Sequence, residues 1–295
     1  MAKYVIGIDF GTLSGRAVVV NVKTGEEIGS AFYNYPHAVM DRELPDGTKL
    51  PMDYALQHPQ DYLDVFKNAV PEVLSRTQVD PADVIGVGVD FTACTVLPVK
   101  ADGTPMCFLD KYKNDPMAYV MVWKHHGAQS YANKLTEIAK QRGEDFMARY
   151  GGKASSESMT PRLWQICVED HELYEDMDYY IEAGDWVIWQ LTGKQTRNSC
   201  AAGYKALYHK VDGYPSKDFY KALDPQFENV VEEKLNCPIS PIGSRAGEID
   251  TKGAALTGLK VGTAVAIANV DAHAGVPGAM KQAGPDQMLM IMGTS

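Results

Sequence analysis

The chain has 295 residues, room for one large or two ordinary domains, and its 45% hydrophobic and 22% charged content is that of a globular protein. A net charge of −10 argues against nucleic acid or an anionic membrane surface as a partner. No apolar run approaches a membrane span, the N-terminus lacks the basic and apolar segments of a secretory signal, and the five cysteines are never spaced as CxxC, so a reducing cytoplasm is expected.

The first element is a pair of short β-branched runs, Val5–Ile8 and Ala17–Val20, read as strands buried on both faces or nearly so. The hinge between them is too short for a crossover helix, so they form a hairpin. Asp9 ends the first run and is followed by Gly11, Thr12, Ser14 and Gly15. The glycines permit positive φ and remove Cβ, a turn of this kind can aim N–H groups outward at an anion, and Thr12 and Ser14 add hydroxyls. Two readings of Asp9 stand: it caps its own turn, or it shares a divalent cation with a phosphate.

A third strand is expected over Glu26–Tyr33, entered through the Thr24-Gly25 turn, and a helix over His58–Thr77 with Pro59 at its first position. Tyr62, Val65, Phe66, Ala69, Val70, Val73 and Leu74 follow the spacing of one buried helical face, while Pro71 predicts a kink or an end nearby. Val84–Gly103 then echoes the opening: apolar strand, an aspartate in Gly-x-Asp-Phe, a small polar turn, an apolar strand. Three antiparallel strands, a helix and another strand predict an α/β protein with a ribonuclease-H-like core of mixed sheet and helices, as in the actin-like ATPases and several sugar kinases. Residues 104–260 differ in character, being rich in Tyr, Trp, His, Asp and Lys, with helical stretches at 129–142 and 161–173 and a helix over Trp186–Leu191 stopped by Gly193. They read as a large substrate-recognition insertion in a core made of residues 1–103 and 261–295. Strands are expected again at Gly262–Asn269 and Met288–Met292.

Three motifs, GIDFGT near the N-terminus, VDAHAG after a strand and a terminal MGTS, resemble the FGGY family of carbohydrate kinases. GVDFTACTVLPV, VWKHHGAQ, EAGDWVIWQLTG and CAAGYKALYH are most similar to the branch that acts on L-ribulose. The resemblance spans the chain but only the family's N-terminal half; the C-terminal domain that supplies the adenosine pocket lies outside this sequence. It implies ATP- and Mg²⁺-dependent phosphorylation of a ketopentose, L-ribulose to its 5-phosphate, with this chain as the sugar-binding half, inactive alone and partnered by its own C-terminal domain.

Carried over by residue, the resemblance makes Asp9 the metal-side carboxylate. Gly11 and Thr12 become the phosphate turn, and Gly293, Thr294 and Ser295 a second phosphate hairpin. Asp271, after the strand at 265–268, is the expected general base; it could equally cap a helix, and with His273 it lacks the partners of a metal site. Ala93 and Cys94 lie beside the sugar, where glycerol kinases carry Arg-Glu, and their small size leaves room for a longer polyol. Trp123, Lys124 and His125 offer an aromatic wall and polar heads, although paired histidines also occur at solvated surfaces and in cores. Asp185 and Lys205 sit in apolar or small stretches and need partners, either sugar hydroxyls or an internal ion pair. The alternatives are a kinase for xylulose or ribitol, and a non-catalytic actin-like nucleotide-binding scaffold; the Trp-, His- and Lys-rich insertion and Asp271 favour the kinase. A homo-oligomer stays open.

Overall fold

The computed structural model describes residues 2–280, 284 and 286–290. Strands β1 (Tyr4–Phe10) and β2 (Ser14–Asn21) pair antiparallel, and β3 (Glu27–Asn34) extends the hairpin along β2. β5 (Val84–Phe91) lies parallel to β1 on its other side. Beyond β5 come β12 (Ala264–Ala266), parallel to it, then antiparallel β11 (Arg245–Glu248), while β13 (Asn269–Val270) pairs with the far end of β5. The expected strand at 262–269 is thus two pieces. At the break, the Ile267 N–H donates to Ser244 O at 2.9 Å instead of joining the ladder with β5.

Along β1, Ile6, Ile8 and Phe10 are buried, whereas Val5 and Gly7 are half-buried and Asp9 is exposed. Only one face is packed, contrary to the expectation of two, and the reason is the period-2 alternation of a strand with helices on one side. Those helices are α1 (Pro59–Thr77), α5 (Ala183–Thr192) and α9 (Thr251–Thr257), which share one apolar core with the sheet. So α5, β11 and α9, from the stretch read as an insertion, pack in the first core.

Helix α1 runs straight through Pro71 to Thr77 instead of ending there. Pro71 and Lys67 both face solvent, so water can satisfy the Lys67 carbonyl that the missing N–H leaves free. Gly193 ends α5 in the left-handed conformation, φ 65°, as its position suggested.

The second core is built on β4 (Leu56–Gln57), β7 (Val120–Met121), β6 (Val96–Val99) and β8 (Tyr179–Glu182), in that order across the sheet. The echo of the first hairpin therefore breaks: β6 does not fold back on β5 but crosses to the second sheet. Around it lie α2 (Gln129–Arg142), α3 (Met159–Glu169), α4 (His171–Asp176), α7 (Lys217–Leu223) and α8 (Val230–Lys234). The single helix expected at 161–173 is two because Asp170 leaves helical geometry at φ −138° and its carboxylate accepts the Leu173 N–H at 3.2 Å. The short pair β9 (Arg197–Asn198) and β10 (Ile239–Ser240) precedes α6 (Ser199–Lys205) and β11 respectively, and α10 (Asp271–Ala279) follows β13. Met288, Leu289 and Met290 are not in a strand; the rest of that expected strand, Ile291 and Met292, lies outside the described residues.

Gly15 matters through space and not through backbone freedom. Neither it nor Gly11 has positive φ, but a Cβ on Gly15 would stand 2.4 Å from Val65 Cγ2, so bare backbone lets the hairpin lie on α1. Gly15→Ala is expected to destabilise the fold by about 1–3 kcal/mol, the usual cost of overpacking. Adding Val65→Ala should recover part of that, and denaturant midpoints of the three proteins decide it; equal midpoints for wild type and Gly15→Ala would refute the close approach.

Candidate active site

Strands β1, β5 and β13 run parallel, and their carboxyl ends meet at one edge of the open sheet face. Asp9 pairs in register with Asp90, Asn269 pairs with Asp90 from the other side, and Asp271 opens α10 two residues later. Ligands of open α/β sheets gather at this end of the strands. A cleft of about 1210 Å³ lies there, and Asp9, Gly11, Thr12, Asp90, Ala93, Cys94, Trp123, Lys205 and Asp271 all line it.

Burial first, then the neighbouring Asp9 and Asp271, push the Asp90 carboxyl up to about 8, and its Oδ1 is buried with no hydrogen-bond partner. Burial also raises Asp271, against the pull of the Ala272 N–H that its Oδ1 accepts at 2.6 Å. Asp271 is the first residue of α10 and Val270 holds the cap position, so the helix-cap reading moves one residue upstream.

A divalent cation fits this place chemically. Carboxylates crowd together and one oxygen is orphaned, so a positive charge would relieve both. Among the described residues no three His, Cys, Asp or Glu side chains converge to cage an ion. That suits Mg²⁺, which takes one or two carboxylates and fills its octahedron with waters and phosphate oxygens.

The 11–14 turn is fixed from within and from outside. The Gly11 N–H donates to Ser14 O at 3.0 Å, and the Thr12 carbonyl accepts from Gln57 Nε2 at 2.6 Å. Tyr62 OH in turn donates to Gln57 Oε1 at 2.6 Å. The Thr12 hydroxyl accepts from the Trp123 indole N–H at 3.1 Å, which keeps its own proton free for a ligand and ties the turn to the aromatic wall across the cleft.

On the other wall, Lys205 is buried and bonds Glu157 Oε2 at 3.1 Å, with its ammonium 4.4 Å from the Tyr204 ring centre. Burial alone would lower its pKa, but the Cys94 thiol and Glu157 beside it outweigh that and the net shift is upward.

Other expected residues are placed elsewhere. Lys124 is half-buried and does not line the cleft. His125 is fully buried; its Nδ1 accepts the Ala55 N–H at 3.3 Å, and burial holds the imidazole neutral. Asp185 is buried away from the cleft, where its Oδ1 accepts from the backbone N–H and Nδ2 of Asn198, both at 2.9 Å. Gly293, Thr294 and Ser295 lie outside the described residues. The sequence reading missed Asp90 and Glu157 as site residues. A signal existed for Asp90, since GVGVDF repeats VIGIDF; Glu157 had none.

The chain belongs to the FGGY family of carbohydrate kinases: residues 4–278 match that family's N-terminal domain. Two relatives named ribulokinase, from Geobacillus thermodenitrificans and Anoxybacillus flavithermus, are each 54% identical to it over 294 residues, covering 99% of this chain and 52% of theirs. The chain thus spans about half the length of the curated relatives it matches. The crystal structure of Plasmodium falciparum glycerol kinase with ADP superposes at a TM-score of 0.70 and 12% identity, over 94% of this chain and 50% of that one. The shared fold is the α/β core of the actin-like ATPases.

Glu182 is buried opposite Val96, just past the 93–94 turn, with Oε1 unpartnered; burial, then Asp185, push it up to about 8. Its pKa is raised from 4.5, so it holds its proton in the fold at pH values where the unfolded chain has lost it. Its stabilising contribution is complete below the unfolded value and fades as pH rises through the folded one. Glu182→Gln is always neutral, so its thermal midpoint is expected to fall less than wild type's between pH 5 and 8.5 across the window set by those values. Parallel pH curves would mean Glu182 is ionised in the fold.

Proposed function

We propose that this chain is the sugar-binding half of a kinase that transfers the γ-phosphoryl group of ATP to a ketopentose, with L-ribulose as substrate and L-ribulose 5-phosphate as product. The observation that carries the reading is the cleft itself, where a hydroxyl-bearing phosphate turn and clustered carboxylates face an aromatic and lysine wall across one space. The ribulokinase relatives support the choice of sugar. A scaffold would need the turn but not the wall. The reading implies a cytoplasmic enzyme, in keeping with five unpaired cysteines.

Asp271 accepts the proton of the attacking sugar hydroxyl as its oxygen bonds to the γ-phosphorus and ADP departs. Burial raises its pKa, which makes it a better proton acceptor than an ordinary carboxylate. Asp9 and Asp90 would hold Mg²⁺ through waters, and the ion when bound neutralises phosphate charge. Thr12 and the amides of the Gly11 turn orient the phosphates. Trp123 and Lys205 orient the sugar, the first by its apolar face and the second by donating to hydroxyl oxygens, and Ala93 and Cys94 set the room available. Residues 93–96 and 120–205 around the second core supply the sugar contacts, and the C-terminal domain of the full-length protein supplies the adenosine pocket.

A panel of ketoses and polyols with ATP and the full-length protein tests the reading. Turnover is expected with L-ribulose; activity confined to xylulose or ribitol would move the substrate, and none with any sugar would favour the scaffold. Asp271→Asn should lower kcat by about 10²–10⁴-fold, the usual worth of a general base, with ATP affinity held. Asparagine suits a helix start about as well, so a kcat within about threefold of wild type would remove Asp271 from catalysis. Asp9→Ala should weaken Mg·ATP use far more than sugar binding, and the reverse pattern in binding titrations would assign the hairpin to the wrong ligand.

A further inference from the structure

Arg162, on α3, is fully buried, and among the described residues no carboxylate forms an ion pair with it. A buried cation without a counter-ion is costly unless dipoles surround it. Here they do. Nε donates to Ser156 O at 2.9 Å, Nη1 to Cys94 O at 2.6 Å and Met121 O at 3.1 Å, and Nη2 to Val122 O and His125 O at 2.9 Å and Trp123 O at 3.4 Å. Five N–H donors thus face six backbone carbonyls, and every partner sits in one of three segments that reach the cleft. Those segments are the turn at 93–94, the run at 121–125, and the loop whose next residue, Glu157, holds Lys205.

A second observation concerns the same turn. Cys94 has φ +57°, in the left-handed region that a residue with a Cβ adopts only under constraint. Its carbonyl makes the shortest of the Arg162 bonds. The guanidinium thus bonds the left-handed residue itself as well as the Trp123 carbonyl.

We propose that Arg162 is the positioning residue of the sugar wall: it touches no ligand, and it fixes the spacing between the 93–94 turn and Trp123 that decides how a sugar fits. The proposal rests on the cleft being a ketose site. None of the Arg162 bonds reaches the 11–14 turn, and the one link between them is the Trp123–Thr12 hydrogen bond, so its influence falls first on the sugar and only through that bond on the nucleotide.

The test uses Arg162→Lys in the full-length protein. Lysine keeps the charge but has three donors on one nitrogen and no planar fork, so it cannot reach all six carbonyls. The sugar KM is expected to rise about tenfold or more, within the ~10²-fold that a 1 Å misplacement can cost, while the nucleotide KM changes far less. Amide hydrogen exchange should quicken at residues 92–95 and 121–126 and stay unchanged across β1 and β2. Adding Cys94→Gly, which makes the left-handed turn free of strain, should restore part of the sugar KM; a merely structural arginine would not show that rescue. A folded Arg162→Lys protein with an unchanged sugar KM and unchanged exchange overturns the proposal. If that variant fails to fold, Cys94→Val decides, because a β-branched residue sharpens the strain with Arg162 intact: a raised sugar KM supports the proposal and an unchanged one overturns it. Should wild type phosphorylate no ketose, the ketose reading fails, and the exchange measurements still show whether Arg162 holds the two segments.

Discussion

Like charges held side by side at the ends of parallel strands are the constraint on which the rest of this structure turns. The β1–β5 register places Asp9 directly across from Asp90, and β13 delivers Asp271 to the same edge. Left alone, such carboxylates repel, and the strands could relieve the repulsion by slipping. A one-residue slip would exchange every side chain between faces, expelling Ile6, Ile8 and Phe10 from the core and driving Asp9 into it. Hydrophobic burial on one face thus enforces electrostatic crowding on the other. Crowding of this kind is what a cation can relieve, and burial, with Asp9 adding to it, leaves Asp271 with a proton affinity above the ordinary.

The two cores meet at the cleft through a relay of polar contacts. Tyr62, deep in the first core, holds Gln57 on β4; Gln57 holds the Thr12 carbonyl; and Trp123, leaving β7 of the second sheet, holds the Thr12 hydroxyl. Each link is one hydrogen bond of ordinary worth, about 1 kcal/mol. Their value lies in connectivity. Thr12 is held through its backbone by Gln57 on β4 and through its side chain by Trp123 just past β7, so a shift at Trp123 is felt at the 11–14 turn.

What could be read from the chain follows from how each feature is encoded. The hairpin, α1 and the parallel return of β5 are written in local pattern: β-branched runs, a seven-residue apolar face, Gly and Asp at a strand end. Asp9, Thr12 and Asp271 sit within such patterns and were legible. The helix does not end at Pro71 because that side of α1 faces water, which the proline by itself does not reveal. The surroundings of His125 and Asp185 are hidden too: their neighbours Ala55 and Asn198 are 70 and 13 residues away along the chain, and no local signal announces a partner at that distance. Glu157 and Arg162 are the extreme case, since their surroundings exist only after the second core has assembled.

The same division separates the part of the site shared widely from the part that selects. At 12% identity the fold still superposes on that glycerol kinase at a TM-score of 0.70, so the frame tolerates wide change of sequence. A frame so permissive cannot by itself choose among sugars that differ by one hydroxyl. Discrimination of that kind requires polar groups at fixed distances, because an unpaired buried donor or acceptor is what rejects the wrong ligand. On the reading proposed above, the walls that carry Cys94, Trp123 and Lys205 meet the requirement at an energetic cost. A strained turn, an arginine without a counter-ion and a glutamate with a bare oxygen are packed directly behind them. Groups of that sort destabilise a core wherever they sit. On that reading, the stability that Cys94, Arg162 and Glu182 cost beside this wall is what selectivity among sugars requires.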